Sequence, residues 1–141
     1  MSANPPRPIG KQFELARVLV VDDNLTSRLT LKAVLEAGGY FVDAAASAAE
    51  AVGKLDERQY ELVLSDLAME SPDAGLQVLA HARLMDYKPA TAILTTYQNK
   101  PPDLRRPLLV KSQDLPGLLT KVADLISGRA ARMVERQLRE S

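Results

Sequence analysis

Asp22 and Asp23 stand side by side where an apolar run, Val18-Leu19-Val20-Val21, stops. Adjacent carboxylates repel each other unless a proton or a cation shares the site. The ion that suits such a pair is a hard divalent cation, Mg2+ or Mn2+, held by oxygen ligands. The triplet Asp22-Asp23-Asn24 also suits a plain turn that caps a following helix, because all three side chains are good caps. Further along, other apolar runs end in polar residues. Asp66 follows Leu62-Val63-Leu64-Ser65, Thr95 follows Ala92-Ile93-Leu94, and Lys111 follows Leu108-Leu109-Val110. Taken singly, Asp66 reads as a turn residue, Thr95 as a β-former and Lys111 as a solvated strand end. Taken together they are three acids, a hydroxyl and an ammonium, all at or just past the end of an apolar run.

The elements that would position them alternate in type. Short, nearly continuous apolar runs at 17–21, 40–44, 61–66, 91–95 and 107–110 read as strands buried on both faces of a parallel sheet. Between them lie helical stretches. Asn24 or Thr26 can cap a helix running to about residue 37, with Leu25, Leu29, Val34 and Leu35 as inward candidates, ended by Gly38-Gly39. Ser47-Ala48-Ala49-Glu50 is a capping box that opens a second helix. Residues 75–85 read as a third and 114–127 as a last core helix, with Pro116 tolerated in its first turn and Gly128 as an interruption. Residues 129–140 are helix-prone, with a thin apolar stripe of Ala130, Met133, Val134 and Leu138. Strand-helix alternation with right-handed crossovers and one reversal of winding gives an α/β, doubly wound, five-stranded parallel sheet of order 2-1-3-4-5, the flavodoxin-like arrangement. All five polar residues then fall at its carboxyl edge, where open α/β sheets bind ligands. Residues 1–15, with Asn4-Pro5-Pro6-Arg7-Pro8, are expected to form a flexible arm. Residues 16–127 form the expected domain, and 128–141 a C-terminal helical extension.

Composition removes several alternatives. With 141 residues there is enough chain for one domain with a proper core. The absence of Cys and the single His, His81, exclude a disulfide framework, thiolate chemistry and a conventional zinc site. A Ser-His-Asp enzyme would need His81 as its base, and nothing near it suggests that role. A formal net charge of zero gives no sign of an obligatory nucleic-acid or anionic-membrane partner. No apolar stretch reaches membrane-spanning length and no signal peptide is evident, so a cytoplasmic location is expected.

Four segments in order, Leu19-Val20-Val21-Asp22-Asp23-Asn24, Asp66-Leu67-Ala68-Met69, Leu94-Thr95-Thr96 and Leu109-Val110-Lys111, resemble the motifs of the two-component response-regulator receiver family. The resemblance spans roughly residues 17–127. It implies a signalling domain that catalyses only its own phosphorylation and dephosphorylation, not an enzyme acting on a separate substrate. Asp66 would be the phosphoacceptor, taking its phosphoryl group from a phosphohistidine of a sensor kinase or phosphotransfer protein. Mg2+ (or Mn2+) would be held by Asp23, Asp66 and the Ala68 main-chain carbonyl, with Asp22 acting through water. Lys111 would pair with Asp66 and then with the phosphoryl group. Thr95, chosen over Thr96 on its spacing from Pro89 and its similarity to Leu-Thr-Thr-aromatic variants, would be the switch hydroxyl. Output would pass through protein contacts to a downstream protein, with a homodimer as one form.

The chain departs from the family pattern in places. Ser112 follows Lys111 where proline is usual, the loop after Asp66 is longer by one residue, and Leu108 stands where an aromatic switch residue is common. Residues 97–106, with Pro101-Pro102, are too few for the usual helix between strands four and five, so that helix is expected to be absent or reduced. Such a gap would leave Ile93 or Leu109 near solvent and create a partner surface, to be covered by another protein, a second copy or residues 129–140. These departures keep open an alternative, a receiver-fold interaction module that signals without phosphorylation. An aspartate-nucleophile phosphatase is disfavoured, since the position two after Asp66 is Ala68 rather than an acid.

Overall fold

The computed structural model describes residues 16–67, 69–95, 108–110 and 115–140, with the backbone alone for 108–110 and Leu115. The expected features of residues 1–15, 96–107 and 111–114 lie outside the described residues. Five strands, β1 (Arg17–Val21), β2 (Phe41–Ala45), β3 (Leu62–Asp66), β4 (Ala90–Thr95) and β5 (Leu108–Val110), form one parallel sheet of order β2-β1-β3-β4-β5. Four helices flank it: α1 (Leu25–Ala37), α2 (Ala48–Glu57), α3 (Ala74–Arg83) and α4 (Leu115–Glu140).

The alternation of side chains along each strand divides the core in two. Val18, Val20, Leu62, Leu64, Ala92 and Leu94 point to one face and pack with Leu31 and Leu35 of α1 and Leu118 and Val122 of α4. Leu19, Val21, Val63 and Ile93 point to the other and pack with Ala51 and Leu55 of α2 and Val78, Leu79 and Ala82 of α3. Burying strands on both faces is what their uninterrupted apolar character required.

Local signals fix most boundaries. Asn24 caps α1, its side chain accepting from the Ser27 N–H at 2.9 Å. At the far end Gly39 has φ 103°, a left-handed conformation that glycine adopts without strain. Ser47 caps α2 by accepting from Glu50 N–H at 3.1 Å, and Glu50 reaches back to the Ala46 N–H at 2.7 Å, one residue before the position a standard capping box uses.

Three expectations need correction. Leu25 and Leu29 are 58% and 55% exposed, and Leu31 turns inward beside the expected Leu35 and Val34. Leucines occupy more than one side of this helix, so its apolar period does not fix its phase. Ile93, expected near solvent, is only 1% exposed because it lies on the face that α2 and α3 cover. Gly128 does not interrupt: α4 runs unbroken from Leu115 to Glu140. One interior glycine costs a helix about 1 kcal/mol, too little to end it between good helix formers. Residues 129–140 therefore continue α4 and do not fold back across β4 and β5.

Candidate functional site

β1 and β3 are neighbours, and Val21 pairs with Ser65. The acids that follow these residues thus meet at the carboxyl edge, where the winding reverses between β1 and β3. Asp22, Asp23 and Asp66 each place a carboxylate oxygen there, all within 4.8 Å of one another. Asp22 is fully buried, Asp66 half-buried and Asp23 exposed. All three donors are hard carboxylate oxygens, which fits a small divalent cation far better than a soft metal.

Asp22 and Asp66 are each held by the surrounding backbone. The Asn24 N–H donates to Asp22 Oδ1 at 3.0 Å, and the Asp22 N–H donates to the Ala45 carbonyl of β2 at 3.0 Å. Arg28 Nη1, one turn into α1, donates to the Asp22 carbonyl at 2.9 Å. Asp66 Oδ1 accepts from the Leu67 N–H at 2.8 Å, and buried Ser65 donates its hydroxyl to the Asp66 carbonyl at 3.0 Å. The turn-and-cap reading of Asp22-Asp23-Asn24 is thus true of the same residues: Asn24 caps the helix while the two acids face the rim.

The loop after Asp66 is fastened at both ends. The Gly75 N–H donates to the Leu67 carbonyl at 2.9 Å, closing the loop on itself. Any Cβ at Gly75 would fall 1.9 Å from the Asp66 carbonyl oxygen and 2.6 Å from the Leu67 Cα. Across the loop, Glu70 Oε2 accepts from the Ala48 N–H at 3.0 Å, placing a carboxylate at the N-terminus of α2.

Thr95 ends β4. Asp66 pairs with Leu94, so Thr95 is the next residue along the same edge. It pairs in turn with Val110, the residue before Lys111. Ala68, Thr96, Tyr97 and Lys111 lie outside the described residues. Arg28, Ser65, Glu70 and Gly75 support the site without having been singled out for it. Gly75 carried the one usable signal, a glycine at the start of a helix shortly after a strand-end acid. His81 is remote from the acids and contacts Asp56 Oδ1 at 2.9 Å between α3 and α2.

A doubly wound parallel sheet with three carboxylates at its switch point defines a class of signalling domain. The chain belongs to the response regulator receiver domain family, whose family model matches residues 18–123. Among curated relatives, ResD of Bacillus subtilis is 38% identical over 83 residues, covering 59% of this chain and 33% of that protein. PhoP of Salmonella typhimurium is 37% identical over 81 residues, covering 57% and 36%. The chain thus spans about a third of the length of these two relatives. Among solved structures, the response regulator TrrA of Thermotoga maritima in complex with Mg2+-BeF aligns with a TM-score of 0.70 and 33% identity, over 79% of this chain and 99% of that one. CheY4 of Vibrio cholerae aligns with a TM-score of 0.69 and 26% identity, over 79% and 98%. Among the described residues no helix is long and apolar enough to cross a membrane.

Proposed function

We propose that this receiver domain is phosphorylated on Asp66 by a phosphohistidine of a sensor kinase or phosphotransfer protein, and that it signals through protein contacts. The observation that carries this is the convergence of Asp22, Asp23 and Asp66 within 4.8 Å at the sheet's carboxyl edge. An Asp66 carboxylate oxygen attacks phosphorus, the phosphorus–nitrogen bond of the donor breaks, and the electron pair leaves with the imidazole, which takes up a proton. Such a transfer asks for alignment and charge neutralisation more than for covalent machinery. Asp22, Asp23, Asp66 and the Ala68 carbonyl would hold Mg2+, or Mn2+ in its place. The bound ion would neutralise the carboxylates and the incoming phosphoryl oxygens. That TrrA was solved with Mg2+-BeF supports the choice of ion.

Lys111 follows the end of β5, where its ammonium would pair with Asp66 and then with the phosphoryl group. Thr95 would turn its hydroxyl to the same group and carry the change to the surface. The domain proper is assigned to residues 16–127, with 128–141 as an extension, in the cytoplasm, and with no catalytic turnover of a separate substrate.

Incubation with acetyl phosphate and Mg2+, followed by intact-mass measurement, tests the assignment. The wild type should gain one phosphoryl group, lose it at alkaline pH as an acyl phosphate does, and gain none without the ion. Asp66→Asn should gain none. An Asp66→Asn variant phosphorylated at the wild-type rate overturns the site. A wild type that stays unmodified even with a cognate phosphodonor favours the phosphate-independent interaction module.

A further inference from the structure

We propose that the protruding half of α4 is a self-association arm that pairs with a second copy of this chain as a short parallel two-stranded coil. The first half of α4 buries Leu118 and Val122 against the sheet. Beyond Arg129 the helix leaves the domain, and of residues 130–140 all except Met133 are exposed. Val134 and Leu138 are 54% and 71% exposed, among the largest apolar exposures in the described residues.

The arm's apolar face is not a continuation of the domain-facing one. At about 100° per residue, the face bearing Ala131, Val134 and Leu138 lies roughly 170° round the helix from that bearing Leu118 and Val122. The described residues of the domain that carries the arm therefore do not cover this face. A second copy can, and with both seams turned away from their domains the two domains fall on opposite sides of the pair.

The spacing of Ala131, Val134 and Leu138, three then four residues, is that of a and d positions in a heptad. On this register the flanking e and g positions hold Ala130, Glu135 and Gln137, so no like charges meet across a parallel seam. Arg132, Arg136 and Arg139 fall on the outward b and f positions. A membrane-binding helix favours aromatic residues on its apolar face, and the arm has none.

The arm is also preset. Arg129 Nε donates to the Lys88 carbonyl at 2.9 Å and Arg129 Nη2 to the Tyr87 carbonyl at 2.6 Å, which fixes the helix where it leaves the domain. Ordering the arm then costs little at association. Three turns bury less than the roughly 1,000 Å² of a stable interface, so the pair should be weak and concentration-dependent.

Sedimentation of the full chain should show its mass rising from 15.4 kDa toward twice that between micromolar and about 1 mM protein. The double variant V134E/L138E should stay monomeric with unchanged helix content, and R132E/R136E should still associate. The chain has no native cysteine, so single cysteines report geometry directly. Under mild oxidation Leu138→Cys should cross-link at least tenfold faster than Arg136→Cys, because only the seam brings Cα atoms within disulfide reach. A chain monomeric at about 1 mM overturns the proposal. So does association that survives V134E/L138E, or equal cross-linking at the two cysteine positions.

Discussion

Asp22 and Asp23 are adjacent but differently placed. Asp22 is fully buried and receives the Asn24 N–H, whereas Asp23 is exposed and adds a negative charge to the rim. With Asp66 close by, three acids crowd one edge, so the apo domain carries repulsion that a cation would relieve. Mg2+ at about 100 times its dissociation constant should therefore stabilise the fold by about 2.7 kcal/mol, read as a rise in melting temperature. Asp23→Ala should lose most of that gain. Because it also removes one of the repelling charges, it should melt no lower than wild type without Mg2+. A melting temperature indifferent to saturating Mg2+ would remove the metal from the site. These acids were legible in the sequence because a parallel sheet puts every strand's carboxyl end at one edge, so polar residues ending apolar runs must gather there. Glu70 was not legible. Its contact with Ala48 spans 22 positions and follows no local pattern.

At the scale of elements, the sequence marked strands better than helix faces. A buried parallel strand is apolar throughout, and the runs ending at Val21, Asp66 and Thr95 needed no phase to be recognised. A helix must also declare which side faces inward, and Leu25, Leu29 and Leu31 together leave that open in α1. The end of α4 was misread for another reason. Arg129 anchors to the carbonyls of Tyr87 and Lys88, a tertiary contact that holds the helix across Gly128. Gly75 shows the converse, a local residue type with a tertiary cause. α3 starts so close under β3 that a methyl group at Gly75 would overlap the Asp66 carbonyl oxygen. Gly75→Ala must therefore displace either α3 or the backbone of Asp66 and Leu67. We expect a loss of about 3 kcal/mol or more, seen as a lower urea midpoint. The surviving folded fraction should also take up phosphate from acetyl phosphate more slowly. Wild-type stability and rate in Gly75→Ala would show that the loop yields freely and that its close fit to Asp66 has no consequence.

Across the whole molecule, two tyrosines tie the layers together at the edge opposite the acids. Tyr60, fully buried just before β3, donates its hydroxyl to Asp43 Oδ2 of the edge strand β2 at 2.7 Å. Tyr87, between α3 and β4, donates to the Leu55 carbonyl of α2 at 2.9 Å, while its own carbonyl receives Arg129 from α4 on the other face of the sheet. Burial pushes the Tyr60 phenol well above the usual tyrosine range, and the neighbouring Asp43 carboxylate adds to the effect. Burial also pushes Tyr87 up to about 12, with the Asp56 charge contributing. Both shifts favour the protonated phenol in the folded state. Below about pH 10, the ordinary tyrosine value, both states keep the proton and the full contribution to stability is present. Above it the unfolded chain loses protons that the folded chain retains, so stability falls with rising pH, by up to about 1.4 kcal/mol per unit for each tyrosine. The loss from Tyr87 should be complete once the pH passes its folded value near 12, whereas that from Tyr60 should extend further. Urea unfolding at pH 9 and pH 11 should show the decline, and Tyr87→Phe should make it shallower while lowering stability at pH 9 through the lost bond to Leu55. Equal wild-type stability at the two pH values would mean that both phenols reach solvent in the folded state and that the layers are held together by apolar packing alone.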